Sequence, residues 1–269
     1  MKSLSPFALL LLVFSFSASA TGQDNTSAIE SDGFVTVKQR DKGEFRAFVA
    51  GPTDAKVAVL VVHDYFGISD ATQRSVKHLG ALGYRSLAVD LYGGRSATSH
   101  EEAMKLMQSL DRKATDNILQ AGLDYLKRPG RKVASMGFSM GAHESLNANL
   151  NDPEAVSATV MIYGSGFDKV NPKNLSALRG PILVIAGAED TGATQAAVNF
   201  LSSMKEANRA YEMVIYPGAD HGYAQPLFNA GKNYNPEAIR TTWVLVEDFL
   251  EAALSRGVQP PKHNPEVDH

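Results

Sequence analysis

Three side chains that together can activate a nucleophile follow one another along the chain in the order serine, acid, histidine. Ser139 lies in the pentapeptide Gly-Phe-Ser-Met-Gly at residues 137–141, whereas Asp190 and His221 each follow a short apolar run. A serine hydroxyl attacks a carbonyl carbon only when a base removes its proton, and a carboxylate orients the histidine that acts as that base. The sequence therefore predicts nucleophilic acyl chemistry, with Ser139 as nucleophile, His221 as base and Asp190 as acid.

Two further carboxyl groups lie beside these candidates. Glu189 directly precedes Asp190 and is a rival for the role of triad acid, although we expect its side chain to point to solvent. Asp220 is adjacent to His221, where neighbouring side chains diverge, so we interpret it as a hydrogen-bonding residue of the loop.

The pentapeptide matches the G-x-S-x-G pattern of a nucleophile elbow, in which a serine occupies a tight turn between a strand and a helix. Glycines are needed around such a serine because backbone passes close to it. A chance match is the alternative in a chain with 22 glycines. The apolar run before the pentapeptide and the helical pattern after it favour the elbow.

The negatively charged oxygen that forms during acyl transfer needs hydrogen-bond donors. The backbone N–H of Met140, directly after the nucleophile, is one candidate, and the N–H of Tyr65, in the loop after an early strand, is the other. In the same loop, His63 is a candidate to line the site. Asp64 has two interpretations: a functional hydrogen bond near the nucleophile, or a structural role in which it caps the next helix or braces the loop.

Strands alternate with helices along the chain, which predicts an α/β-hydrolase fold: a mostly parallel, doubly wound sheet with helices on both faces. The three candidate catalytic residues follow different strands, so they should meet at the carboxyl edge of that sheet. The expected strands lie at 34–38, 45–49, 57–62, 85–89, from 133 into the pentapeptide at 137–141, and at 156–163, 182–186 and 211–216. The expected helices lie at 69–82, at 100–127 with a break near Asp111, at 142–146, at 194–207 and at 236–254.

The start of the chain has the pattern of a secretory signal peptide. Lys2 precedes an apolar run at residues 7–14, and Ala-Ser-Ala at 18–20 is a cleavage site for signal peptidase. A membrane anchor is the alternative, but the apolar run is shorter than the roughly 20 residues that a spanning helix needs. We expect a secreted or periplasmic protein, cleaved near Ala20. Its other expected parts are a flexible lead-in at 21–32, one domain at 33–256 and a disordered tail at 257–269.

Composition excludes several classes of function. The chain has no cysteine, so it can form neither a disulfide nor a thiolate metal site, and it has no cysteine nucleophile. A net charge of −3 shows no basic bias towards nucleic acid or a membrane surface. No histidines and carboxylates have metal-ligand spacing. We expect a small-molecule substrate and no cofactor or metal, and the sequence does not indicate an oligomeric state.

The chain resembles the dienelactone hydrolase family from about residue 57 to residue 250. The segments that carry the resemblance occur in the family's order and lie at 63–67, 88–93, 137–141, 187–190 and 216–223. The resemblance implies a cofactor-free α/β-hydrolase that cleaves an ester or lactone through an acyl-enzyme. It also implies that Asp190 and His221 are the acid and base and that Tyr65 is the second oxyanion donor.

Three positions depart from the family's pattern. Ser139 stands where the founding members have a cysteine nucleophile, and Asp64 stands where they have a longer glutamate. The family's substrate-binding arginine after the catalytic histidine is absent from the segment 221–225. Arg95 matches a second substrate-binding arginine. The candidate substrate contacts are therefore Arg95, Asp64, His63 and Tyr223, and a general serine carboxylesterase fits better than a dienelactone-specific enzyme.

The sequence thus favours an exported serine hydrolase that cleaves carboxylic esters or lactones. An acyltransferase that uses the same triad is the alternative, and a non-catalytic binding protein of the same fold is a second one. The segment 226–235, which follows the histidine, contains Phe228 and Tyr234. It is either a wall of the substrate pocket or a structural loop.

Overall fold

The computed structural model describes residues 32–41 and 43–255 of the 269-residue chain. The expected signal peptide at 1–20, almost all of the lead-in at 21–32 and the expected tail at 257–269 lie outside the described residues. Within the described part, no helix combines the length and the apolar character needed to cross a membrane.

Eight strands form one sheet in the order β1-β2-β4-β3-β5-β6-β7-β8. The pairs β1–β2 and β2–β4 are antiparallel, and all the others are parallel. This arrangement confirms the mostly parallel sheet. The strands are β1 Gly33–Lys38, β2 Glu44–Ala50, β3 Val57–Val62, β4 Arg85–Val89, β5 Lys132–Phe138, β6 Ala158–Ile162, β7 Ile182–Gly187 and β8 Tyr211–Tyr216.

Helices cover both faces of the sheet because the central strands are apolar on both sides. Successive side chains of a strand point to opposite faces. Val57 and Val59 of β3 pack with residues of α1 and α7, whereas Ala58 and Leu60 pack with residues of α2 and α3. The α-helices are α1 Asp70–Ala81, α2 His100–Gln108, α3 Arg112–Leu126, α4 Met140–Asn151, α5 Pro172–Leu175, α6 Thr191–Glu206 and α7 Pro236–Leu250.

Side-chain caps determine where several helices begin. The break expected near Asp111 is present because the Asp111 side chain accepts the Ala114 N–H and starts α3. Asn235 starts α7 in the same way by accepting the Ala238 N–H, with Pro236 at the first helical position. Because β3, β5, β6, β7 and β8 run parallel, the loops that follow them meet at one edge, and the candidate site residues lie in these loops.

Candidate active site

Ser139 occupies a sharp turn between β5 and α4. Its backbone has φ 53° and ψ −118°, in a region that a residue with a side chain rarely adopts. The Ser139 N–H donates to the Ile162 carbonyl oxygen over 2.9 Å, which ties the turn to the end of β6. Such strain costs about 1–3 kcal/mol and persists only where the surrounding structure enforces it. The geometry is that of a nucleophile elbow.

The glycines around Ser139 are required by close backbone packing. A Cβ at Gly137 would lie 1.9 Å from the Gly141 carbonyl oxygen. A Cβ at Gly141 would lie 2.3 Å from the Val62 carbonyl oxygen and 2.4 Å from that of His63. Helix α4 therefore begins directly against the end of β3, and only glycine fits at these two positions.

The serine, histidine and aspartate expected to act together form a continuous hydrogen-bonded chain. The Ser139 hydroxyl lies 2.9 Å from His221 Nε2, and His221 Nδ1 lies 2.6 Å from Asp190 Oδ2. When the hydroxyl donates to Nε2, the ring proton is on Nδ1 and is donated to the carboxylate. The side chain of His221 is 27% exposed and that of Asp190 10%, so the imidazole is more accessible to solvent than the carboxylate behind it.

Asp190 is held in place by the helix that follows it. Its second oxygen, Oδ1, accepts the Ala193 N–H over 2.9 Å and so caps α6. This cap makes α6 begin at Thr191, three residues before the helix start expected from the sequence. Burial by itself would raise the pKa of Asp190, but the hydrogen bonds from His221 and from backbone N–H groups outweigh burial and hold the pKa below its ordinary value.

Neither Glu189, the rival acid, nor Asp220, the expected loop residue, forms a hydrogen bond with a ring nitrogen of His221 in the described part of the chain. Glu189 is exposed, and its backbone N–H donates to the Ala219 carbonyl oxygen. Asp220 accepts the backbone N–H of His221 over 2.7 Å, as a hydrogen-bonding residue of the loop would. Only Asp190 contacts the imidazole among the carboxylates of the described residues.

Two aromatic rings support the imidazole of His221. The Tyr163 ring meets it edge to face at 5.5 Å, and the Phe228 ring lies tilted against it at 5.1 Å. Tyr163 is fully buried and has φ 37°, a strained conformation for an aromatic residue. Sequence reasoning missed Tyr163. Its position directly after β6, next to the nucleophile strand, was the available signal.

The two expected oxyanion donors are both free to bind an acceptor. Within the described part of the chain, neither the Tyr65 N–H, in the loop after β3, nor the Met140 N–H, at the first position of α4, has a protein acceptor. The N-terminus of a helix also carries a partial positive charge. The Tyr65 and Met140 N–H groups therefore remain the predicted oxyanion donors.

Asp64 braces the loop after β3 and does not cap α1. Its Oδ1 accepts the Phe66 N–H over 2.8 Å, and its Oδ2 accepts from Gln225 Nε2 over 2.7 Å. Burial raises the pKa of Asp64 to about 6, although the hydrogen bonds from Gln225 and Phe66 oppose that rise. Gln225, which the sequence analysis did not select as a site residue, thus links the segment after His221 to the loop that contains Tyr65.

Three of the four expected substrate contacts, His63, Asp64 and Tyr223, have buried side chains, which corrects the expectation. His63 is fully buried. Its Nδ1 faces the Asp64 carbonyl oxygen, its Nε2 accepts the Leu91 N–H over 3.2 Å, and burial lowers its pKa. Tyr223 is also fully buried, with its hydroxyl 2.6 Å from Thr242 Oγ1. Neither His63 nor Tyr223 therefore presents surface to a substrate.

Arg95 is exposed in the loop after β4. Its Nε donates to the Tyr92 carbonyl oxygen over 3.1 Å, and no carboxylate of the described residues forms an ion pair with it. The described residues also contain no group of histidines and carboxylates that could hold a metal ion.

Comparison with known proteins identifies the family. The profile of the dienelactone hydrolase family matches residues 45–254. The chain is 27% identical over 254 residues to an assigned carboxymethylenebutenolidase of Saccharolobus solfataricus, covering 78% of this chain and 95% of that relative. It is 25% identical over 220 residues to an assigned 2-oxo-3-(5-oxofuran-2-ylidene)propanoate lactonase of Bradyrhizobium, covering 75% and 87%.

Solved structures share the fold. A dienelactone hydrolase-like promiscuous phosphotriesterase from metagenomic libraries superposes with a TM-score of 0.72 at 20% identity, over 82% of this chain and 98% of that one. The resemblance noted in the sequence therefore extends to the architecture. Because the family profile also spans most of the chain, the protein belongs to the dienelactone hydrolase family of α/β-hydrolases.

Proposed function

We propose that this hydrolase is an exported enzyme that cleaves carboxylic esters or lactones through a Ser139–His221–Asp190 triad and an acyl-enzyme. The observation that carries the proposal is the hydrogen-bonded chain of 2.9 Å and 2.6 Å that joins the three side chains. The family supplies the hydrolase class, and the names of the relatives supply the lactone as a substrate type.

Acylation begins when His221 removes the proton of the Ser139 hydroxyl and the oxygen attacks the carbonyl carbon of the substrate. The negative charge moves to the carbonyl oxygen, where the N–H groups of Tyr65 and Met140 donate to it. Asp190 stabilises the imidazolium that results. His221 then gives its proton to the leaving oxygen, and the carbon–oxygen bond breaks. From a lactone, this leaving hydroxyl stays attached to the acyl group.

Deacylation repeats the same steps with water as the nucleophile. His221 takes a proton from water, the hydroxide attacks the acyl carbon, and the Ser139 oxygen leaves with the proton that the imidazolium returns. The product is a free carboxylic acid. No step needs a cofactor or a metal ion, because the protein supplies nucleophile, base and charge stabilisation.

The test is covalent labelling of the active protein with a fluorophosphonate, followed by peptide mapping, together with turnover of p-nitrophenyl acetate. We expect one adduct on Ser139 and a loss of at least about 10³-fold in kcat/KM in the Ser139→Ala variant. Ser202→Ala, which removes an exposed serine of α6, is the matched control and should keep full activity. Folded protein that neither reacts with the probe nor hydrolyses any ester would contradict the proposal.

A further inference from the structure

The segment after His221 is held in a strained shape over the site. We call residues 226–231 the capping segment. Asn229 has φ 47° and Ala230 has φ 53°, so two residues with side chains adopt the left-handed conformation one after the other. Such a conformation persists only where surrounding contacts enforce it, and it is characteristic of ligand-binding segments.

The contacts that hold the capping segment come from the active site itself. Gln225, directly before it, donates from Nε2 to the buried Asp64 carboxylate over 2.7 Å and accepts the Phe228 N–H at its backbone oxygen over 3.0 Å. On the other side, Asn233 donates from Nδ2 to the His221 carbonyl oxygen over 2.9 Å. Both ends of the segment are therefore fixed relative to the residues expected to do chemistry.

Phe228 is the residue that the capping segment places at the site. Its half-buried ring lies 5.1 Å from the His221 ring and 6.1 Å from the Tyr65 ring. It also packs directly on Gly222, where an added Cβ would lie 2.6 Å from the Phe228 ring. The Phe228 ring therefore lies between His221, the proposed base, and Tyr65, whose N–H is a proposed oxyanion donor.

A substrate in position for attack must lie beside this ring. Its carbonyl carbon has to meet the Ser139 oxygen, while its carbonyl oxygen points to the N–H of Tyr65. The groups attached to the carbonyl carbon then extend past Phe228. We infer that Phe228 determines specificity by forming an apolar wall that limits the size of these groups, so that the enzyme favours small, compact esters and lactones over bulky ones.

This inference rests on the proposed ester hydrolysis. The test compares Phe228→Ala with wild type on two ester panels. One panel varies the acyl group from acetate to octanoate and benzoate with a constant p-nitrophenol leaving group, and the other varies the alcohol with a constant acetyl group. We expect the ratio of kcat/KM for the bulkiest ester to kcat/KM for the smallest to rise by about 10-fold or more in at least one panel, because a removed aromatic side chain opens apolar space.

A merely structural role would give a different result. If Phe228 only supported the His221 ring, the variant would lose activity on every ester in parallel and both ratios would stay unchanged, which would overturn the inference. Leu227→Ala is the matched control, since Leu227 belongs to the same segment but is 41% exposed, and it should leave both ratios unchanged. If Phe228→Ala does not fold, Phe228→Leu replaces it in the test, and we expect a smaller rise in the ratio of kcat/KM for the bulkiest ester to that for the smallest.

The two proposals fail in distinguishable ways. In one outcome, wild type reacts with a fluorophosphonate at Ser139 and hydrolyses p-nitrophenyl acetate, while Phe228→Ala changes neither kcat/KM ratio. That outcome would contradict the specificity role of Phe228 alone. Folded wild-type protein without labelling or turnover would sink the proposed function first.

Discussion

Two adjacent residues, Glu189 and Asp190, are candidates for the acid that orients His221. The variant Asp190→Asn tests which of them has that role. The asparagine oxygen can still cap α6 at the Ala193 N–H, but its amide would present N–H groups to His221 Nδ1. The imidazole would then carry its proton on Nε2 and could not accept the serine proton. We expect kcat/KM to fall by about 10³–10⁴-fold in ester hydrolysis, with a nearly unchanged midpoint of thermal unfolding.

The control for this prediction is Glu189→Gln. Glu189 is exposed and makes no contact with the imidazole, so the variant should keep activity within about 2-fold of wild type. The reverse pattern, a large loss in Glu189→Gln and none in Asp190→Asn, would show that the acid is Glu189.

Asp64 should make the stability of the protein depend on pH. Burial raises its pKa from 3.8 to about 6, so between these values the folded state holds a proton that the unfolded state has lost. The contribution of Asp64 to the free energy of unfolding therefore falls as pH rises through this window. The total change is about 3 kcal/mol, at 1.36 kcal/mol for each pKa unit.

The variant Asp64→Asn isolates that effect because it cannot titrate. The free energy of unfolding of wild type minus that of Asp64→Asn should decrease by roughly 2 kcal/mol between pH 4 and pH 7, measured by urea denaturation. The asparagine also loses one of the two acceptor oxygens used by Phe66 and Gln225. This loss shifts the difference in the free energy of unfolding by the same amount at every pH and does not change its dependence on pH. A difference that does not vary with pH would mean that Asp64 is solvated.

At the scale of elements, the site depends on how closely α4 approaches β3. A Cβ at Gly141 would meet two backbone oxygens, those of Val62 and His63, within 2.4 Å. Neither can rotate away, so the start of α4 must move and carry Ser139 with it. We expect Gly141→Ala to lower the free energy of unfolding by roughly 1–3 kcal/mol. We also expect a loss of about 10² or more in kcat/KM, since a small misplacement of reacting groups is costly.

Gly43→Ala is the comparison for that prediction. Its added Cβ would meet only side-chain atoms of Asp41 and Gln39, at 3.4 Å, and these can shift at little cost. Denaturation curves and ester turnover should show it close to wild type. Equal effects in the two variants would mean that backbone contact at Gly141 is not what restricts the residue.

Local sequence patterns predicted most elements well. The strand at 57–62 agrees with β3 residue for residue, since a continuous apolar run is typical of a strand covered on both faces. Apolar periodicity places the start of α6 at Thr194, three residues after the observed start at Thr191, because the first turn is defined by the Asp190 cap and not by buried side chains. The short helix α5 at Pro172–Leu175 was missed, since four residues carry too little periodicity to stand out.

At the scale of the whole molecule, the expected export can be measured directly. When the full chain is expressed in a Gram-negative host, we predict that the periplasmic protein begins at Thr21, as read by N-terminal sequencing or intact mass. Signal peptidase needs small residues at the two alanines of the cleavage site. Changing Ala18 and Ala20 to phenylalanine should therefore retain the leader. Wild-type protein that starts at Met1 in the cytoplasmic fraction would contradict export.

Local sequence patterns were enough to predict the chemical types of the candidate residues and their order along the chain. Ser139, Asp190 and His221 were recognised because each follows an apolar strand, and parallel strands bring their carboxyl ends to one edge of the sheet. The fold class was predictable for the same reason, since strand and helix periods are local properties. The elbow was recognised from its two glycines.

Which side chains face the site depends on how distant segments pack together. Gln225 meets Asp64 across 161 positions of sequence, and Phe228 packs on His221, while His63 and Tyr223 turn into the core. The direction in which a side chain points after the end of a strand depends on the backbone torsions there and on the elements packed around it. Neither of these follows a repeating pattern in the sequence. The candidate catalytic residues could therefore be predicted from the sequence, whereas the residues that pack around them could be identified only from the tertiary structure.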